Sequence, residues 1–154
     1  MTAIPVNFDL WGSPVIPEPD QKLAALYQQT GRTLDDLPYT DEFDRLFNAV
    51  QAELPGESFA ATKRSLFDRL LTLRKRAVLP RLGRGWSDAI KLDSAQEARL
   101  AELVVGKIGR LALRDRLPYT REFDQIGEAF NRARSDERRI SHHDLWRIIC
   151  RLAK

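Results

Sequence analysis

Apolar side chains recur at three- and four-residue spacing along most of the chain, which is the period of an amphipathic α-helix. In residues 41–50, for example, Phe43, Leu46, Phe47 and Val50 fall on one stripe. Comparable stripes occur in five further segments, which begin near residues 20, 62, 94, 120 and 141. The pattern predicts six helices and therefore an all-α fold.

Polar residues that commonly cap helix N-termini stand before these stripes. Ser94 and Glu97 also have the spacing of a capping box. Gly31 is suited to end the first helix, whereas Pro80, Gly83 and Gly85 are expected to end the third. The predicted N-caps are Asp20, Thr40, Thr62, Ser94, Thr120 and Ser141.

One eight-residue sequence occurs twice with a single change, as LPYTDEFD at 37–44 and LPYTREFD at 117–124. The apolar stripes of the helices around it keep the same register, with an offset of 80 that becomes 79 in the last helix. This predicts a tandem duplication of a three-helix module, at 20–86 and 87–154, behind an extended proline-rich arm at 1–19. The aligned pairs of the last helix are Leu66 with Leu145, Phe67 with Trp146, Leu70 with Ile149, and Leu73 with Leu152.

Both copies of Leu-Pro-Tyr-Thr suit a turn that opens a helix. The proline holds the residue before it extended and the threonine can cap the helix, so the leucine and tyrosine are expected to cover its first turn. The alternative is that Tyr39 and Tyr119 contact a ligand. Each copy spans only about 60 residues, which is marginal for independent folding, so the two copies are expected to share an interface.

Charge is distributed unevenly along the chain, although the net charge is only +3. Residues 1–58 contain 10 acidic and 3 basic residues, a net charge of −7, and residues 59–154 contain 22 basic and 12 acidic residues, a net charge of +10. A basic block of this size indicates contact with a polyanion or a contribution to solubility. The acidic segment could equally pack on the basic one and cancel its charge.

Basic residues are concentrated in and after the predicted third helix, where no acid lies between Asp68 and Asp88. Three helices, a basic third helix and a following Leu-Pro-Arg-Leu-Gly-Arg segment resemble a helix-turn-helix module with a wing. In such modules the third helix enters the major groove and the wing contacts phosphates. The resemblance implies nucleic-acid binding, and the alternative is a solvated or protein-binding face. The candidate contacts are Arg64, Arg69, Arg74, Lys75, Arg76, Arg81 and Arg84 in the first copy and Arg138, Arg139, Arg147 and Arg151 in the second.

The arm carries a second resemblance. Asn7, Asp9, Leu10 and Trp11, within NFDLWG, are similar to the short peptide by which bacterial replication and repair proteins bind the sliding clamp. The typical peptide is Gln, any residue, Asp or Ser, Leu and Phe, so Asn7 replaces the glutamine and Trp11 the phenylalanine. The resemblance implies a contact made by apolar anchors and favours the alternative function of a protein-interaction adaptor. Otherwise Phe8, Leu10 and Trp11 are expected to fold back over a helix.

Candidate catalytic and metal-binding groups are few. His142 and His143 are the only histidines, and adjacent residues on a helix point about 100° apart, which prevents them from sharing a metal in the usual i, i+4 manner. No enzyme activity, metal or cofactor is therefore expected. Cys150 is the only cysteine, which favours a reducing compartment, and no apolar run is long enough to span a membrane. These features predict a soluble, cytoplasmic protein.

Overall fold

The computed structural model describes residues 15–82, 90–134 and 138–154. No strand occurs among these residues, so the predicted all-α class is confirmed. Two short 3-10 helices, Ser58–Ala60 and Leu111–Arg116, stand before the third and fifth α-helices. The α-helices are α1 Glu18–Gln29, α2 Asp41–Glu53, α3 Lys63–Lys75, α4 Ser94–Ile108, α5 Arg121–Arg132 and α6 His142–Leu152.

Four of the six predicted N-caps are confirmed, because in each a hydroxyl oxygen accepts a hydrogen bond from the backbone N–H three residues on. These caps are Thr40, Thr62, Thr120 and Ser141. The prediction for Ser94 was wrong by one residue, since Asp93 caps α4 and forms a capping box with Gln96. The prediction for Asp20 was also wrong.

Helix α1 begins at Glu18 rather than after Asp20. Pro17 is its N-cap and Pro19 lies in its first turn, where a proline's missing N–H costs no helical hydrogen bond. The prolines that suggested an extended arm therefore open a helix instead. Asp20 is buried in the first turn of this helix.

Helix α3 ends at Lys75, before the prolines and glycines that were expected to stop it. Ala77 adopts a left-handed conformation, with φ of 57°. Its N–H donates to the Arg74 carbonyl, and the N–H of Val78 donates to the Leu73 carbonyl, which is the hydrogen-bond pattern of a Schellman motif. An alanine in the position usually held by glycine gives no sequence signal for this ending. Gly83 and Gly85 lie outside the described residues.

The buried apolar side chains form two clusters, one in each half of the chain. The first half, residues 15–82, encloses Phe43 and Phe67, and the second half, residues 90–154, encloses Phe123, Phe130 and Trp146. Two tyrosines cross between the clusters, since Tyr119 packs against the first and Tyr39 against the second. The cores therefore meet at the two Leu-Pro-Tyr-Thr turns.

We predict that Phe43→Ala and Phe123→Ala each lower the free energy of unfolding by about 3–5 kcal/mol. Both rings are fully buried at matching places, four residues after the start of a repeated turn's proline-tyrosine pair. Urea denaturation measures both effects, with Phe47→Ala as a control because Phe47 is only partly buried. A neutral result at either Phe43 or Phe123 would show that the two positions are not equivalent.

Candidate nucleic-acid interface

The two halves are joined by a reciprocal pair of hydrogen bonds between tyrosines. The backbone N–H of Tyr39 donates to the hydroxyl of Tyr119 over 2.6 Å, and the backbone N–H of Tyr119 donates to the hydroxyl of Tyr39 over 2.5 Å. Both residues have left-handed backbones, with φ of 66° and 61°. A bulky residue rarely adopts this conformation, so the surrounding contacts must hold it in place.

Each tyrosine ring packs on the aromatic core of the other half. The Tyr39 ring stacks on Phe123 at a centroid distance of 4.9 Å, and the Tyr119 ring stacks on Phe43 at 4.6 Å. The two tyrosine rings are 4.4 Å apart. The expectation that the tyrosine covers its own helix is thus corrected, because the left-handed backbone directs each side chain across the junction. The alternative of a ligand contact would require breaking this packing.

A buried carboxylate is the second connection between the halves. Asp36 is 4% exposed and lies in the first half, 2.7 Å from Arg32. From the second half, His143 approaches the same carboxylate at 3.1 Å and Arg147 at 3.3 Å. A buried carboxylate needs such partners to offset its desolvation. Arg147 therefore has a structural role, and its side chain is only 11% exposed.

The third helices α3 and α6 face each other across the junction. Phe67 of α3 meets Trp146 of α6 edge to face, and the Trp146 indole donates to the Asp35 carbonyl over 2.8 Å. Arg64 of α3 donates to the Pro118 carbonyl over 2.9 Å and pairs with Asp68. In α6, five of eleven residues are buried, which leaves little of this helix to enter a groove.

Three further predicted contacts are also engaged in internal ion pairs. Arg69 grips the buried Asp20 carboxylate through two nitrogens, at 2.9 Å and 2.5 Å. Arg151 lies 3.5 Å from Glu97, with both side chains more than a third exposed. Arg74 bridges Asp35 at 3.1 Å and Asp115 at 3.4 Å. Of the three, Arg69 is the one whose pair is well shielded from solvent, which explains why a base occupies this position of α3.

The remaining predicted cations are exposed. Lys75 and Arg76 lie at the C-terminal end of α3, Arg81 follows it, and Arg138 and Arg139 precede α6. None of these five forms an ion pair with another of the described residues. Arg84, the last candidate of the first copy, lies outside the described residues.

The structure adds two cations that sequence reasoning missed. The Arg74–Asp115 ion pair brings the end of α3 beside the 3-10 helix Leu111–Arg116. This helix is roughly 12 Å long and is flanked by the exposed Arg110 and Arg116. We refer to Lys75, Arg76, Arg81, Arg110 and Arg116 as the basic patch. The sequence GRLALRDR is itself arginine-rich, but only the fold places it next to α3.

Buried ionisable groups elsewhere are unsuited to catalysis. Burial raises the pKa of Cys150 to about 12 and that of Tyr27 to about 12, so both groups keep their protons at neutral pH. Among the residues that the structure describes, no group of three or more His, Cys, Asp or Glu residues is placed to hold a metal ion.

The clamp-like residues Asn7, Asp9, Leu10 and Trp11 lie outside the described residues. Within the described ranges, no helix combines the length and the apolar character needed to cross a membrane. Comparison with known proteins finds no matching family model, no similar curated protein and no similar solved structure. Inferences about function therefore rest on this chain's own residues.

We predict that Tyr39→Phe and Tyr119→Phe each lower the free energy of unfolding by about 1–3 kcal/mol, because each leaves a backbone N–H of the other half without its acceptor. Amide hydrogen exchange gives the sharper readout. Tyr39→Phe should accelerate exchange at the Tyr119 amide, and Tyr119→Phe at the Tyr39 amide. Acceleration at the substituted residue alone would contradict the reciprocal arrangement.

A second prediction concerns alkaline pH. Burial raises the pKa of all three tyrosines, Tyr27, Tyr39 and Tyr119, above the ordinary value of about 10. Because these pKa values are higher in the folded than in the unfolded chain, their contribution to stability is complete below about pH 10 and is lost as the pH rises further.

Phenolate absorbance should accordingly rise together with the loss of helical circular dichroism, in one transition above pH 10. The same protein in denaturant is the control, and its tyrosines should titrate near pH 10. A phenolate signal that appears near pH 10 while the helices remain intact would show that the tyrosines are accessible.

Proposed function

We propose that this protein is a non-catalytic nucleic-acid-binding protein, a regulator or accessory subunit of a nucleoprotein complex, that holds the phosphate backbone with its basic patch. Exposed Lys and Arg side chains bind phosphates with affinity that depends strongly on salt. The buried thiol and the absence of a metal-binding group among the described residues supply no catalytic centre to compete with this proposal.

The observation that carries the proposal is the Arg74–Asp115 contact between the halves. It gathers exposed cations from distant parts of the sequence, Lys75 and Arg76 on one side and Arg110 and Arg116 on the other. Such a cluster is the electrostatic footprint of polyanion binding. Asp35 and Asp115 do not neutralise it, because Arg74 already pairs with both.

The patch supports a mode of binding different from groove insertion by the third helices. The junction covers the N-terminal part of α3 and most of α6, so neither helix presents a full face to a groove. The exposed cations are long, flexible side chains that suit phosphate contacts, which set position rather than read sequence. We therefore propose mainly backbone recognition.

We also propose that the two halves are tandem copies of one three-helix module with a helix-turn-helix-like order. Matching residues cap α2 and α5, namely Thr40 and Thr120, and the tyrosines of both turns share a rare conformation. Their reciprocal bonds resemble an isologous contact, in which the same surface serves both partners. A duplicated module whose copies pair in this way would produce the observed junction. We further propose a cytoplasmic location, supported by the single, unpaired cysteine.

We predict that Lys75→Ala/Arg76→Ala and Arg110→Ala/Arg116→Ala each weaken nucleic-acid binding and reduce the slope of log K against log salt by up to about two, near one unit per lost phosphate contact. Fluorescence anisotropy across a salt series measures both quantities. Because the proposed patch spans the two halves, the two double variants should have similar effects.

The matched control is Arg45→Ala/Arg121→Ala, which removes two exposed cations from α2 and α5. It changes the net charge by the same amount but leaves the patch intact. Equal losses in all three double variants would indicate binding by net charge alone. No binding by the unaltered protein, even at low salt, would refute the proposed function.

A further inference from the structure

A cleft opens next to the basic patch, between the loop after α1 and the chain that follows α3. Its volume is about 590 Å³, within the size range of ligand sites. The buried Tyr27 and Leu34 form its floor. Leu79 and Leu82 line it while also packing against the first core, and both are only partly buried. The cleft thus offers apolar surface that the protein itself leaves uncovered.

Two arginines lie at this cleft, Arg74 and Arg81. The only acid that lines it is Asp35, which is already paired with Arg74 at 3.1 Å. Lys75 and Arg76 directly follow Arg74 in the chain and are exposed. The cleft therefore combines apolar walls with a cationic approach, a combination that fits a ligand with a flat, weakly polar body attached to phosphate.

We propose that the cleft receives an unpaired base, and that the protein therefore binds single-stranded nucleic acid in preference to blunt duplex. This inference rests on the proposed function and specifies its ligand. A backbone held by the basic patch passes the cleft, where Arg74 and Arg81 contact phosphate and Leu79 and Leu82 contact the base. Bases inside a duplex are stacked and paired, so they cannot enter unless they are extruded.

The cleft differs from the aromatic platforms of many single-strand binders, because its described walls are aliphatic. Aliphatic contact with a base is less specific for its identity than hydrogen bonding to its edge. The hydroxyl of Thr33, which also lines the cleft, is one group able to bond to a base edge. Single strands of different sequence should therefore bind with similar affinities.

The first test compares a labelled single strand of oligothymidylate with a blunt duplex of equal length, by fluorescence anisotropy at one salt concentration. We expect the single strand to bind about tenfold more tightly. Leu79→Ser and Leu82→Ser should remove most of this preference while leaving duplex binding unchanged. Leu26→Ser is the matched control, because Leu26 is also a partly buried leucine packed against the first core but lies outside the cleft.

Thermal unfolding of each variant separates loss of fold from loss of the cleft. The second test is photocrosslinking of a single strand that carries 4-thiothymidine, with the crosslinked peptide identified by mass spectrometry. Crosslinks within residues 77–82 would support the proposal.

Equal affinity for single strand and duplex, or crosslinks confined to other segments, would overturn the cleft proposal while leaving the proposed function in place. Cleft variants that stay folded and keep the full single-strand preference would also overturn it. Failure to bind either nucleic acid would overturn both.

Discussion

The structure depends on the placement of two tyrosines in left-handed backbone conformations, each of which sends its side chain into the opposite half. Tyr39 and Tyr119 each supply a hydroxyl for the other's N–H and a ring for the other half's core. Neither half could satisfy these groups alone, because every bond needs the partner turn. A half of about 60 residues also buries too little surface to be robustly stable. The junction is therefore part of the fold, and it fixes where the surface charges of both halves lie.

The same junction decides which cations remain for a ligand. Basic side chains on α3 and α6 looked equivalent in sequence, but Arg69 and Arg147 pair with the buried acids Asp20 and Asp36. Removing one partner of such a pair leaves a buried charge uncompensated, so these arginines serve the fold. The exposed cations at the end of α3 have no such duty. The acidic first third of the chain thus contacts part of the basic block, as the charge distribution allowed, and leaves the basic patch open.

Local features of the fold could be predicted from the sequence, and long-range features could not. Apolar periodicity predicted the helices, and the hydroxyl caps Thr40 and Thr120 were found because capping depends on residues only three positions apart. The start of α1 and the end of α3 were missed, since prolines and the left-handed Ala77 have more than one use. Arg110 and Arg116 were missed because no sequence pattern shows that Asp115 meets Arg74 across the junction.

The central claim is that one phosphate-binding surface is assembled from both halves. Backbone amide NMR spectra recorded during titration with a short oligonucleotide test it most directly, because they report every contacted residue at once. The account predicts progressive shifts at Lys75 and Arg76 together with Arg110 and Arg116, and little change at Arg45 or Arg121. Shifts confined to one half, or centred on Arg138 and Arg139, would contradict it.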